Sequence, residues 1–594
     1  MAFIQDNIPK PNPLLNFALK SFTGGLNNRS EQLSVNQADG LQNMAFADDT
    51  LMEKRKGQEY FSDVEYADAV SFLGEFRPYS DPDVQIVATN SKLFADGVEV
   101  TTLFSDIDGI NHQGNFIFAD GEKLRTYGKF PQENSEEYVK IIGTPVASYV
   151  IMDIVNPPSD FTPLDSAHAR GVTRYDYTNH KIWYEPCTLE IQDTYLGSNV
   201  LPENIKYLIS HKGRVYASGD KEDNDNVFIT RMNNPYYFPT SLPIQLPPNS
   251  DKIVGMIVYD DAVVVGRIDD IYTIRGNTND PITGDEMFKL ERMNSHCGFA
   301  NNRSFNIAHN FLFFVGSDGN MYAVGTTRMD GRFLHTQIIS LTLDLFKEPF
   351  FFTDADIRTA TSYFHKDEWY VSINDITLVY SYKHRAWTYY TRLNARSFYK
   401  FGNDLVWGTS EGRLAKFAED NYLDFGEPYE AYWESKNFDM DDPNMFKQFK
   451  EFFIVAHTYE EHNSDIRILF QVDYANVKDS VTIRNNISIW GKSKWGDRLI
   501  NRNINDSIPF VVGRRGRTIK IRISNGYCVK DIVPTYADLE FYIGRIEGIL
   551  LKTADTGDYY LYTNGAWVLM SQDDLNQRMK IYQLSGDYQM RGRR

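Results

Sequence analysis

The stretch FFVGSDGNMYAVG, residues 313–325, is an apolar run, a four-residue polar break and a second apolar run. It reads as a β-hairpin. Gly319 and Asn320 accept the positive φ that a tight turn needs, and the flanking runs are rich in Phe, Tyr and Val. The other reading makes Ser317-Asp318-Gly319-Asn320 a reaction site, and the rest of the chain argues against it. The same layout recurs at QIVATNSKLFADG (85–97), NFIFADGEKLRTYG (115–128), RVYASGDKEDNDNVFIT (214–230), AVVVGRIDDIYTI (262–274), EWYVSINDITLVYSY (368–382) and LVWGTSEGRLAKF (405–417). The side chains at the turn differ each time. A catalytic residue is not interchangeable in this way, whereas a turn residue is.

Taking the last residue before each turn as the marker, the step from Gly219 to Gly266 is 47 residues, to Gly316 another 50, to Ser372 another 56 and to Gly408 another 36. Those intervals scatter around the 40–50 residues of a four-stranded propeller blade. The expected fold class is therefore all-β: an irregular β-propeller of six to eight blades over residues 61–428. The rhythm lapses over 130–205, which is read as an inserted lobe or an extended propeller edge. From 429 to 552 the strands lengthen and some alternate, as in KEFFIVAHTY, DIRILFQVDYA and RTIKIRIS, so an antiparallel β-sandwich is expected there. GDYYLYTNGAWVLM, with Asn564-Gly565 suited to a type I′ turn, sets 553–594 apart as a hairpin appendage with a basic tail. Residues 1–60 form an N-terminal arm. Helical periodicity is confined to the neighbourhood of Asp573 to Met579.

Totals narrow the function classes. The chain has 594 residues, 14% of them aromatic, and a formal net charge of -19. Such a balance argues against a surface that grips nucleic acid throughout, since phosphate binding needs surplus Lys and Arg. It is compatible with a wall past which DNA slides. Cys187, Cys297 and Cys528 are far apart and read as small buried residues, not as a disulfide framework or zinc site. Neither a signal peptide nor an apolar stretch of membrane-spanning length is apparent, so folding in a cytoplasm is expected.

Candidate chemistry is sparse. Asp220, Asp223 and Asp225 resemble half a calcium loop, but the Gly at position six and the Glu at position twelve are missing. Asp439, Asp441 and Asp442 cluster before Pro443 and read as a turn. Arg514, Arg515, Arg517, Lys520 and Arg522 concentrate charge that could face phosphate or an acidic neighbour; the plainer reading is a wet, basic hairpin face. His168 and His180 have no ligand partners in sequence. Walker, GxSxG and HExxH patterns are absent. No catalytic residue, cofactor or metal is expected.

Two stretches resemble a known family. In FTGGLNNRSEQLSVNQADGLQNMAFADDTLMEKRKGQEYF (22–61), Gly24-Gly25, Asn43, Lys54-Arg55 and Gly57 match the N-terminal signature of the tail nozzle proteins of short-tailed bacteriophages, also called tail tubular protein B or packaged-DNA stabilisation proteins. Lys56 departs from it, for relatives often carry proline there. In residues 214–238, Arg214, Gly219, Asn234, Pro235 and Phe238 match a second element. The resemblance implies a non-enzymatic virion tail protein, assembled in the host bacterial cytoplasm as a ring of typically six copies. It implies portal and adaptor proteins above, distal tail or fibre proteins below, and double-stranded DNA passing through without sequence-specific binding. The alternative is a propeller-based glycan-binding or glycan-cleaving tail component; a third reading is a cellular propeller scaffold.

Overall fold

The computed structural model describes residues 14–591 apart from 30–32, 48–50, 80, 129–138, 147–148, 155–170, 177–180, 187–201, 220–224, scattered positions between 231 and 250, 280–285, 294, 296, 327–333, 458–464, 475–478, 484–506, 528, 540–541, 543–547 and 564. The chain is almost wholly β, in several antiparallel sheets. Helix among the described residues amounts to three four-residue turns, Asp354–Ile357, Tyr536–Leu539 and Gln572–Leu575.

Seven sheets follow one another along the chain, numbered here 1 to 7. Their first strands are Val70–Phe76, Asp108–His112, Tyr207–His211, Ile253–Tyr259, Phe305–Ala308, Thr361–His365 and Ala395–Phe401. In each, the hairpin singled out in the sequence is the pairing of the second and third strands. Sheet 2 has a fifth strand: Val139–Val146 and Tyr149–Ile154 extend its outer edge. Gly171–Asp176 and Lys181–Pro186 pair as a separate hairpin. The break in rhythm over 130–205 thus contains both an extended edge and an extra hairpin.

The second strands read as near-continuous apolar runs because most are covered on both faces. Each gap between successive sheets holds an apolar cluster, the one between sheets 5 and 6 being continuous with the core of the facing sheets described below. Phe76 and Ile86 meet Phe118 between sheets 1 and 2, and Ile117 meets Val215 between 2 and 3. Val227 meets Val263, then Val264 meets Phe314, then Phe313 meets Trp369. Tyr370 meets Trp407 between sheets 6 and 7, and Val406 meets Val87 between sheets 7 and 1. The contacts return to their starting point, and Ser397 Oγ donates to Val70 O at 3.2 Å across that last gap. Sheet 7 takes its fourth strand, Gln58–Tyr60, from the N-terminal arm.

Two-residue turns join the first and second strands of sheets 2 to 6. Both residues have positive φ in each: Gln113-Gly114, Lys212-Gly213, Asp260-Asp261, His309-Asn310 and Lys366-Asp367. That geometry matches the right-handed twist of the strands it connects.

Most of the remaining strands form two facing sheets. One orders Met44–Phe46, Met52–Lys54, Lys580–Arg591, Phe446–His457 and Ser507–Val511, with Leu14–Leu19 also on Lys580–Arg591. The other runs Ala38–Gln42, Ala431–Ser435, Ile519–Asn525, Ile466–Val472, Asp479–Ile483, and joins sheet 6 where Gln42 pairs in parallel with Tyr389. Phe449, Phe452, Ile454 and Leu584 are buried with Trp433, Ile468, Ile521 and Ile523 in one core. Gly586 is required there, since a Cβ would lie 2.4 Å from the Phe452 ring.

The boundaries expected from sequence shift accordingly. The arm is not a separate piece, because its strands belong to the facing sheets and to sheet 7. Residues 553–594 divide. Tyr559–Thr563 and Ala566–Met570 complete a small four-stranded sheet with Val529–Val533 and Leu550–Thr553. Lys580–Arg591, expected as tail, lies between two partners in the large sheet. Its sequence KIYQLSGDYQMR alternates apolar and polar, but interior Gly and Asp mask the strand.

Deleting residues 580–594 is therefore expected to abolish cooperative unfolding of the facing sheets, read by calorimetry and limited proteolysis. A tail would be removable with no change in the transition.

Candidate functional site

Residues of the N-terminal signature converge on one buried junction. Gly24 and Gly25 bring the arm against its neighbours: a Cβ on Gly24 would lie 2.5 Å from Asn36 O, and Gly25 has φ +74°, where a Cβ would lie 2.8 Å from Ala386 Cβ. Leu26 N then donates to Trp387 O at 2.8 Å, tying the arm to the last strand of sheet 6.

Asn43, at φ 54°, turns the chain between two arm strands. Its Nδ2 donates to Glu430 O at 2.8 Å and to Thr391 Oγ1 at 3.0 Å, while its Oδ1 accepts Thr391 N and Arg55 Nε. The Arg55 guanidinium grips Asp424 in a two-toothed pair, Nη1 to Oδ1 at 2.8 Å and Nη2 to Oδ2 at 2.6 Å. It also donates to the carbonyls of Lys56 and Thr391. The Tyr429 ring lies 4.0 Å from the guanidinium carbon, and its hydroxyl donates to Arg55 O. Arg55 and Asp424 are 1% and 4% exposed. Gly57 follows where Leu423 O would be 2.1 Å from a Cβ, so no side chain fits. One cluster thus joins the arm, sheets 6 and 7, the 421–430 segment and the facing sheets.

Lys54 is the anomaly in it. The side chain is 1% exposed, Nζ has no hydrogen-bond partner, and it rests 4.2 Å over the Tyr429 ring. Burial, and then the Arg55 charge beside it, pull its ammonium down to about 7, against the pull of Asp424 and Glu430.

Two cavities accompany the junction and the sheets. One of about 550 Å³ borders it, lined among others by Glu53, Glu368, Tyr370, Tyr390, Glu419 and Asp420. Burial pushes the Glu368 carboxyl up to about 7, and Tyr370 OH donates to it at 2.5 Å. The other, about 200 Å³, is lined by residues of sheets 1, 2, 5, 6 and 7, among them Ser71, Asp108, Arg303, Ser362 and Ser397. Asp108 Oδ2 accepts Leu208 N of sheet 3 at 2.8 Å, and burial lifts its carboxyl to about 6. Arg303 sits 3.7 Å from Asp106.

The other sequence candidates are structural where described. Ser317 Oγ donates to Ile268 O at 2.6 Å, and Asp318 accepts Asn320 N and Tyr322 OH, so 317–320 is a turn pinned to sheet 4. Asp225 accepts Arg267 Nη2 at 2.7 Å; Asp220 and Asp223 lie outside the described residues. Asp439 and Asp442 cap backbone N–H groups of their own turn. The basic run splits. Arg515 and Arg517 stack on Phe446, whereas Lys520 pairs with Glu434 and Asp39, and Arg522 pairs with Glu430 and stacks 3.6 Å over Tyr432. Lys520 and Arg522 are thus engaged within the chain instead of lying on a free basic face. Burial pushes the Cys297 thiol up to about 12. Cys187, Cys528, His168, His180 and Asn234 lie outside the described residues.

Arg214 is buried and donates to Thr230 O at 2.8 Å; Gly219 has φ +87°, and Phe238 is buried with Leu208 and Val215. Both matched elements are therefore packing elements. Asp424 and Tyr429, the partners that complete the Arg55 cluster, went unnoticed in sequence because they stand more than 360 residues away. Among the described residues, no group of three His, Cys, Asp or Glu is placed to hold a metal ion, and no helix is long and apolar enough to cross a membrane.

No family model and no curated protein matches the chain. Among solved structures, the computationally designed Ika8 protein aligns with 61% of this chain and 100% of its own, at 11% identity and a TM-score of 0.33. The extracellular domain of the putative one-component system BT4673 from B. thetaiotaomicron aligns with 88% of this chain and 53% of its own, at 11% identity and a TM-score of 0.26.

Asp424→Asn is expected to destabilise the fold by about 3–5 kcal/mol, because it strands a buried guanidinium. Arg413→Ala, which removes a surface pair with Glu65 at 2.7 Å, is expected to leave the urea midpoint nearly unchanged, because water and salt screen such a pair. Urea unfolding separates the two. Lys54 also gives stability a pH dependence. Its folded pKa lies below the unfolded 10.5, so the unfolded chain holds the extra proton between about 7 and 10.5, and stability rises with pH across that window. Lys54→Met is expected to exceed wild type in urea midpoint at pH 7, with the gap closing towards pH 10.

Proposed function

We propose that the chain is a structural subunit of a phage tail nozzle, a ring below the portal and adaptor that closes the DNA exit channel and conducts the genome at ejection. In this reading sheets 1 to 7 are the blades of a β-propeller, closed by an arm strand, and the facing sheets are a β-sandwich fused to blade 6. The observation that carries it is the use made of the signature residues. Asn43, Arg55 and Gly57 lock two β modules into one body, as a subunit holding back pressurised DNA requires. The reading assigns no catalytic step, and the partners are sister copies, the adaptor and the distal tail parts.

Gold-labelled antibody raised on the purified chain is expected at a single vertex beneath the head of intact particles. Particles built without the chain are expected to package DNA and then lose it. Label elsewhere, or full genome retention in its absence, overturns the proposal.

A second reading, a glycan-binding or glycan-cleaving tail component, rests on the 550 Å³ cavity, where carboxylates and tyrosines line a space of sugar size. It requires release of oligosaccharide from host surface polysaccharide, lost in Glu368→Gln, or saturable binding of that polysaccharide.

A further inference from the structure

Sheet edges expose unpaired backbone groups, and proteins protect them with charges, prolines or very short strands. Several described edges of this chain follow that rule, whereas Leu14–Leu19 (LLNFAL) and Ile253–Tyr259 (IVGMIVY) carry neither charge nor proline. Val98–Thr102 carries Glu99, Glu286–Arg292 carries Glu286, Lys289, Glu291 and Arg292, Asp479–Ile483 begins with Asp and Ser507–Val511 contains Pro509. Ile244–Gln245 is two residues long. In the small sheet, Val529–Val533 at one edge carries Lys530 and Asp531. The opposite edge, Ala566–Met570, is AWVLM, with no charged side chain and no proline.

That strand is held ready for a partner. Its register on Tyr559–Thr563 pairs Ala566 with Thr563 across the turn, then Val568 with Leu561 and Met570 with Tyr559. A two-residue turn makes the closing pair a hydrogen-bonded one, so bonded pairs recur at Val568 and Met570, and the N–H and C=O of Trp567 and Leu569 point outward. Tyr562 agrees with this phase: its N–H donates to Ile549 O at 2.9 Å, on the side away from Trp567. Trp567 is anchored by Nε1 to Leu539 O at 2.9 Å and by the Tyr562 ring, centroids 5.0 Å apart. Val568 and Leu569 are 44% and 57% exposed.

The occupant follows from the charge around this edge. Residues 529–575 hold eight Asp and Glu against three Lys and Arg. Lys552, one of those three, is already paired with Glu427 at 2.8 Å. We propose that Ala566–Met570 is a docking edge that adds an extended strand of a partner protein, with alternating apolar and basic side chains. Main-chain bonds to Trp567 and Leu569 supply the affinity, and the acidic surround selects the sign of the partner's charge. The assignment stands apart from the nozzle reading.

Fluorescence anisotropy of the full chain with labelled ten-residue peptides tests it. A peptide alternating Val and Lys is expected to bind saturably. Its Glu counterpart and a Lys peptide of equal charge interrupted by prolines are expected to bind at least tenfold more weakly. Leu569→Pro removes one outward N–H, at an edge position where proline is tolerated, and is expected to weaken the Val-Lys peptide at least tenfold with the thermal midpoint retained. N-methylating alternate peptide residues provides the same test from the other side. Equal binding of the proline-interrupted peptide, insensitivity to both modifications, or no binding overturns the proposal. So does a dimer of the chain that Leu569→Pro dissociates, since the edge would then be occupied by a second copy.

Discussion

The Arg55–Asp424 pair is the contact on which the arrangement of the two β modules depends. It is buried and bidentate, so its Coulomb attraction is little screened and its direction is fixed by the planar guanidinium. Around it, Asn43, Thr391 and Tyr429 satisfy the remaining polar groups, which a buried ion pair needs if desolvation is to be offset. The consequence is topological. With the arm fixed at residue 55, Gln58–Tyr60 is delivered to sheet 7 and Met52–Lys54 to the facing sheets. The chain's beginning thereby closes structures formed largely by its later residues.

Such a closure is expensive in chain entropy and strong against shear. The arm strands pair with partners hundreds of residues away, so nothing local holds them in place before the sheets form. Once formed, separating the modules means breaking strand pairing, the ion pair and the continuous strand order from sheet 6 into the facing sheets together. Lys54 works against this. It places an amine without a hydrogen-bond partner in the junction, and its neutral form is the one the site accommodates.

How much of this was legible in sequence depends on how far apart the cooperating residues stand. The seven hairpins were legible because strand, turn and strand lie within about fifteen residues and the central strands, covered on both faces, are plainly apolar. The turns before them were less visible: Lys366-Asp367 and Asp260-Asp261 adopt positive φ without glycine. Lys580–Arg591 was missed because Gly586 and Asp587 break its strand character, although Gly586 is there to let Phe452 pack. At the junction, the signature residues were visible but their purpose was not. Nothing near Arg55 in sequence announces Asp424, and Lys520 and Arg522 looked like a free basic face because Glu430 and Glu434 belong to another strand.

The 200 Å³ cavity between sheets 1, 2, 5, 6 and 7 constrains the proposed role. Its volume, about 200 Å³, is room for only a handful of waters at roughly 30 Å³ each, and the duplex major groove alone is about 12 Å wide. Asp108 and Leu208 bind sheets 2 and 3 beside it, and Arg303 reaches Ile107 O at 3.4 Å from sheet 5. Opening that cavity would mean dissolving the contacts between sheets, which apolar clusters back. In the proposed role, a conduit wide enough for a duplex would therefore lie between copies, bounded by outer surfaces of the chain. Those surfaces carry most of the formal charge of -19, because charged side chains are rarely buried unless paired. Where the acidic part of that surface faces such a conduit, phosphate meets like charge and finds no purchase. Where Arg515 and Arg517 lie, stacked on Phe446, it meets cations that would retain it. The proposed role thus requires the Phe446 face to point away from the channel.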